Sequence, residues 1–110
     1  RQNIPLYRGQ CAIACAQTDN QTEAGPADRI IAAKAANNLL SVEGIEASFA
    51  LMKLGDVIHI SARSNGSINV QLILEQMGGG GHYDAAGAQL SGLTMREAVD
   101  RLKAAIDTQI

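Results

Sequence analysis

Gly78, Gly79, Gly80 and Gly81 stand in a row, and His82 follows them. No other stretch restricts the fold as strongly. Glycine loses more backbone freedom on folding than any other residue, so four in succession oppose both helix and strand. The segment before the run explains one of them. Val70, Ile73, Leu74 and Met77 recur at i, i+3, i+4 and i+7, the buried face of an amphipathic helix, and Gly78 then serves as its C-terminal stop. The other three glycines are surplus to that task. Without a Cβ, a loop can press its N–H groups against a ligand, and successive amides form a nest for an anion. From spacing alone, the run fits such a nest and a merely packed loop equally well. The C-terminal end of a helix is the wrong pole for a phosphate. An anion site therefore needs "HYDAAG" to open a new helical turn whose N-terminal amides face the ligand, with the Asp84 carboxylate pointing away.

The rest of the chain reads as one α/β domain over residues 1–110. "QCAIACAQ" (10–17) is apolar on both faces, as in a central strand. The polar loop "TDNQTEAGP" leads to Pro26, well placed as a first helical residue, and Asp28 favours a helix start. Ala27, Ile31, Ala35, Leu39 and Val42 then mark the inward face of a helix that stops at Gly44. Two β-rich runs, 45–53 and 56–63, flank a hairpin turn at Leu54-Gly55. Asn69 or Ser67 can cap the next helix, and a short strand is expected near 87–91. Thr94 and Glu97 form a capping box ahead of a helix with Met95, Ala98, Val99, Leu102, Ala105 and Ile106 inward. The order indicates a mixed β-sheet of about four to five strands with helices packed on it.

Composition narrows the function. The 110 residues are 46% apolar but include only three aromatics, Tyr7, Phe49 and Tyr83, so the core must be aliphatic. A net charge of −2 leaves no basic surplus for a long phosphate backbone, and an anion site has to be local. Cys11 and Cys15 are expected to be buried thiols, since two Cys and two distant His make a poor zinc set. No stretch approaches the ~20 apolar residues of a membrane span, and no signal-peptide pattern opens the chain, so a cytoplasmic domain without direct membrane contact is expected. Because it begins at Arg1, it is expected to belong to something longer.

Two places carry candidate chemistry. His82 can donate to a phosphate oxygen or move a proton near neutral pH. "SARS" (61–64) ends the third strand, with Ser61 and Arg63 on one side, and the Arg63 guanidinium is a planar fork suited to phosphate oxygens. His59, in mid-strand, reads as a packed or solvated residue. The Asp residues are scattered and the two His are far apart, so no metal pair, Ser-His-Asp set or Cys-His pair is visible. By itself the chain reads as a binder rather than a complete catalyst, with no catalytic residue and no metal ligand of its own.

"GGGHYDAAG" (79–87) resembles the GGGHxxAAG signature of the DHH-associated domain, subtype one, of DHH-family phosphoesterases. It matches at Gly79, Gly80, Gly81, His82, Ala85, Ala86 and Gly87. "ISARS" and "INVQLILEQMGGGGH" resemble the preceding family segments, and "KAANNLLSVEGIEASFAL" (34–51) is especially similar to cyclic-di-AMP phosphodiesterases of the GdpP type. The resemblance implies a substrate-binding domain whose partner is an upstream DHH domain carrying two manganese ions. It implies that Gly79, Gly80, Gly81 and His82 contact the phosphate or terminal nucleotide, and that Arg63 with Ser61 or Ser64 contacts a phosphate. The implied ligand is a cyclic dinucleotide or a short oligonucleotide, and a second copy of the chain is a candidate partner. Membrane-anchored members would place the domain at the cytosolic end. Gly87 is kept here, whereas GdpP-type chains often replace it, as oligoribonucleases and RecJ-like exonucleases do not. The related domain of alanyl-tRNA synthetases suggests a tRNA-binding alternative, which acidic charge and few aromatics oppose.

Overall fold

A computed structural model describes residues 5–17 and 26–110, apart from the side chains of 26–29. Five strands form one mixed sheet in the order β1-β2-β3-β5-β4. They are β1 (Cys11–Gln17), β2 (Ala47–Leu54), β3 (Val57–Ser64), β4 (Gly80–His82) and β5 (Ala85–Ser91). Helix α1 (Pro26–Leu40) connects β1 to its parallel neighbour β2, and every other pairing is antiparallel. Helices α2 (Val70–Glu75) and α3 (Met95–Asp107) complete the α/β fold.

The register sorts the side chains into two faces, because paired residues share a side of the sheet. On one face Phe49, Leu51, Ile58, Ile60 and Ala62 join Val70, Ile73, Leu74, Leu102 and Ile106 in a single aliphatic core around one phenylalanine. Helix α2 starts where Asn69 caps it, accepting from the Leu72 N–H at 3.1 Å. Helix α3 starts at the expected Thr94–Glu97 capping box. Its Ala98, Leu102, Ala105 and Ile106 are buried, with Met95 and Val99 packed at the margin.

On the other face α1 covers β2 and β3, and here the sequence pattern misleads. Ala32 and Ala36 are the buried residues, whereas Ile31 and Val42 are exposed. The short alanine face lets the helix approach closely enough for the buried Ser48 Oγ to donate to the Ala36 carbonyl at 2.6 Å. A face led by Ile31 would hold the helix farther away. The polar loop 18–25 and the side chains of Ala27 and Asp28 lie outside the described residues.

Four further expectations are corrected. β1 is an edge strand, not a central one. Its Cys11 is buried but Cys15 is exposed, because the strand emerges from under the helices toward its C-terminal end. The β2–β3 turn is Gly55-Asp56, with Leu54 already paired to Val57. "HYDAAG" is no helical turn: Tyr83-Asp84 is the tip of a hairpin joining β4 to β5. The glycine run itself supplies that extra edge strand, so a helix dipole at "HYDAAG" cannot be what attracts an anion.

Candidate functional site

The signature folds back on its own tail. Gly80 pairs with Gly87 and His82 with Ala85, so the two ends of the motif lie side by side. β5 in turn pairs with β3, which sets Gly87 opposite Ser61 and Ala85 opposite Arg63. Two parallel rows therefore cross three strands on the α1 face: Gly80-Gly87-Ser61 and His82-Ala85-Arg63. Among the described residues α1 packs mainly on β2 and β3. The β5 and β4 part of this face carries Gly80, Ala85 and Gly87 between the longer Gln89 and His82. A groove of about 410 Å³ runs along it, lined by Ala32, His59, Ser61, Gly79, Gly87 and Gln89. His82 and Arg63 stand in the adjoining row. Two strand spacings put their Cα atoms about 10 Å apart, with only the Ala85 methyl between them.

The polar groups of this floor are available to a ligand. Arg63 is half-buried, and its Nη1 donates to the Ala62 carbonyl at 2.8 Å. No carboxylate pairs with it among the described residues, and four of its five N–H donors remain. His82 is exposed at the edge. β4 is the outermost strand, so alternate backbone N–H groups along it point away from β5. The pattern is a cation, an imidazole and a hydroxyl around a floor that includes Gly80, Ala85 and Gly87. It suits a flat or branched anion that needs close backbone approach.

The four glycines turn out to have different reasons. Gly78 has φ +82 and closes α2 in a Schellman motif, its N–H donating to Glu75 and that of Gly79 to Leu74 at 2.8 Å. Gly79 is also wedged against β5, where a Cβ would land on the Gly87 carbonyl oxygen and 2.6 Å from the Ala88 Cβ. Gly81 has φ +146, and its Cβ would sit 2.6 Å from the Ala85 carbonyl oxygen. Gly80 has neither constraint: its φ lies outside the left-handed region, and a Cβ there would meet nothing within 4 Å. Among the described residues nothing requires glycine at position 80.

Ser61, Arg63, Gly80 and His82 are thus brought together, and Gly79 borders the groove with its amide already committed. Gly81 and Ser64 turn to the opposite face. The Ser64 hydroxyl is buried and accepts from the Gly66 and Ile68 amides at 3.0 and 3.3 Å, so it shapes the turn before α2 and is not part of the candidate site. Ala85 and Gly87 were not among the expected site residues, although they form the floor. Recognising β4 as a strand would have exposed their shared alternation. No group of three His, Cys, Asp or Glu side chains able to hold a metal occurs among the described residues.

Residues 13–110 match the family model described as the DHHA1 domain, and the chain belongs to that family. It is 45% identical over 107 residues to the cyclic-di-AMP phosphodiesterase GdpP of Bacillus subtilis, covering 96% of this chain and 16% of that protein. It is 39% identical over 69 residues to the bifunctional oligoribonuclease and PAP phosphatase NrnA of Thermus thermophilus, covering 63% of this chain and 21% of that one. Among solved structures, an exopolyphosphatase-related protein from Bacteroides fragilis superposes with a TM-score of 0.73 at 26% identity, over 96% of this chain and 31% of its own. The chain therefore spans only a minor part of the curated relatives it matches.

Proposed function

We propose that this DHHA1 domain grips the phosphate and adjoining nucleotide of a dinucleotide for a DHH-family phosphodiesterase, with the bond-breaking chemistry on a separate DHH domain of the same protein. The observation that carries the reading is the pair of rows, His82-Ala85-Arg63 beside Gly80-Gly87-Ser61, on one face of the sheet. In this role the Arg63 fork takes phosphate oxygens, the Ser61 hydroxyl and an imidazole N–H of His82 add neutral donors, and Gly80 lets the ligand lie on the backbone.

The likeness to GdpP favours cyclic-di-AMP or its linear product as the substrate. A second reading, a short oligonucleotide, is favoured by the NrnA likeness and by Gly87, which keeps the floor flat opposite Gly80. Net charge −2 opposes a long nucleic acid in either case. Among the described residues no three His, Cys, Asp or Glu side chains form a group able to hold a metal. Manganese belongs in our reading to the DHH domain, where a bound metal would activate water. We place the domain in the cytoplasm. No helix among the described residues is long and apolar enough to cross a membrane.

The test is turnover of cyclic-di-AMP and of linear dinucleotides by the full-length protein. Arg63→Ala and His82→Ala should each lower kcat/KM about 10- to 100-fold, the scale of a lost hydrogen bond to a charged group. Their melting curves should stay close to wild type. Normal turnover in both variants would overturn the gripping role.

A further inference from the structure

We infer that Tyr83 is the platform on which a nucleobase of the ligand stacks, which makes the site selective for nucleotides over base-free phosphates. The inference rests on the phosphate-gripping role proposed above and adds a residue to it. Of the three aromatics in the chain, Phe49 is fully buried in the core. Tyr7 is tied down by its hydroxyl, which donates to Asp107 at 2.7 Å, and the Lys103 ammonium lies over its ring at 5.2 Å. Tyr83 alone shows an open ring, 47% exposed, and its hydroxyl has no hydrogen-bond partner among the described residues.

Its position gives the exposure a use. Tyr83 directly follows His82 at the tip of the β4–β5 hairpin, at the end of the sheet where the His82-Ala85-Arg63 row lies. Two backbone hydrogen bonds anchor the tip. The Tyr83 carbonyl accepts from the Val70 N–H at 3.0 Å, and the Asp84 carbonyl accepts from the Ser64 N–H at 2.9 Å. These bonds fix the backbone that carries the ring before any ligand arrives, so little ordering remains to be done on binding. In this reading the base joined to a phosphate held between Arg63 and His82 lies at the hairpin tip that carries Tyr83. Stacking tolerates any base, because every base presents a π-face. An aromatic-poor chain with one open aromatic at the end of the Arg63–His82 row thus matches a ligand that joins a phosphate to a flat ring.

The experiment uses the full-length protein and the dinucleotide that wild type turns over fastest among cyclic and linear adenine and guanine forms. AMP and ribose 5-phosphate serve as competitive inhibitors. Tyr83→Leu keeps apolar bulk but removes the ring. It should raise KM and the inhibition constant of AMP about tenfold and leave that of ribose 5-phosphate unchanged. Tyr83→Phe should recover KM to within about twofold. Unchanged constants in Tyr83→Leu, or equal shifts for AMP and ribose 5-phosphate, overturn the stacking role. Arg63→Ala, run in parallel, weakens both inhibitors if the phosphate grip is right. If Arg63→Ala weakens both and Tyr83→Leu neither, only the stacking inference falls. If Arg63→Ala weakens neither, or wild type turns over no dinucleotide, the gripping role falls and the stacking role with it.

Discussion

Replacing the four glycines by alanine one at a time should separate folding from binding within a single run of sequence. At Gly78 the cost is a left-handed residue with a side chain, about 1–2 kcal/mol, since nothing lies within 4 Å of its Cβ position. At Gly79 the methyl meets the Gly87 carbonyl oxygen, with the Ala88 Cβ at 2.6 Å and its Cα at 2.8 Å. None of these atoms can rotate away, so β4 must part from β5, at a cost of about 3 kcal/mol or more. Gly81→Ala combines both problems, φ +146 and the Ala86 Cα at 2.7 Å, and should be at least as damaging. Gly80→Ala should lie within about 1 kcal/mol of wild type and on the stabilising side, because alanine narrows the unfolded ensemble. Urea titration of the chain reads these values directly. In a thermal scan each kcal/mol appears as roughly 4–8 °C for a domain near this size. In the full-length protein, Gly80→Ala should still lose about tenfold or more in kcat/KM if the proposed ligand lies on the backbone there, because the methyl would hold it off. A Gly80→Ala protein as unstable as Gly79→Ala would make the position a packing glycine. A stable one with full activity would empty the groove of its proposed ligand.

Three other outcomes test the scaffold. Ser48→Ala strands the buried contact to the Ala36 carbonyl and Ser64→Ala strands two turn amides. Each should cost about 1–3 kcal/mol in urea titration, and Ser64→Ala should leave KM near wild type. Hydrogen bonds from the Thr94 backbone and then its side chain hold the Glu97 carboxyl below its ordinary range. A group with a lowered folded pKa stabilises at neutral pH and loses that contribution as pH falls through the folded value, so Glu97→Gln should flatten the acid limb of the melting-temperature profile. Burial pushes the Cys11 thiol up to about 11, and Glu46 adds to the shift, so a thiol reagent at pH 8 should spare Cys11 and label the exposed Cys15 first.

What the sequence disclosed and what it hid follow from the range of the physics involved. Caps and helix stops are local, so Asn69, the Thr94–Glu97 box and Gly78 were readable from a few neighbours. The buried face of α1 was not. An i,i+4 series of Ala27, Ile31 and Ala35 and one of Ala32 and Ala36 are equally helical. Only the Ser48 bond across to the helix decides that the smaller residues face the sheet. β4 was missed because strand propensity is measured by side chains, and Gly80 and Gly81 have none. The strand exists because β5 offers it a ladder. Arg63 and Ser61 were assigned to one side correctly because alternation along β3 is a local rule. Ser64 follows the same rule onto the opposite face, against the expectation that it joins the phosphate site.

The topology explains why a bare floor arises at this part of the sheet. A parallel β1-α1-β2 unit must put its crossover helix on one face, and α1 covers β2 and the neighbouring β3. The chain then extends the sheet only by antiparallel pairings, β3 with β5 and β5 with β4; α2 in the β3–β4 connection and α3 after β5 pack on the other face. Nothing in that order supplies a second helix for the α1 side of β5 and β4. Large apolar residues there would form an exposed patch, and glycine and alanine avoid it. Small residues alone would satisfy that need with alanine throughout. Gly87 has a packing reason, since a Cβ there would sit 3.2 Å from the Ile60 carbonyl oxygen, but Gly80 exceeds the need, and Arg63 beside it has no carboxylate partner among the described residues. The excess is what points past folding to a ligand: a strand edge kept thinner than packing requires, next to a charge kept freer than stability favours.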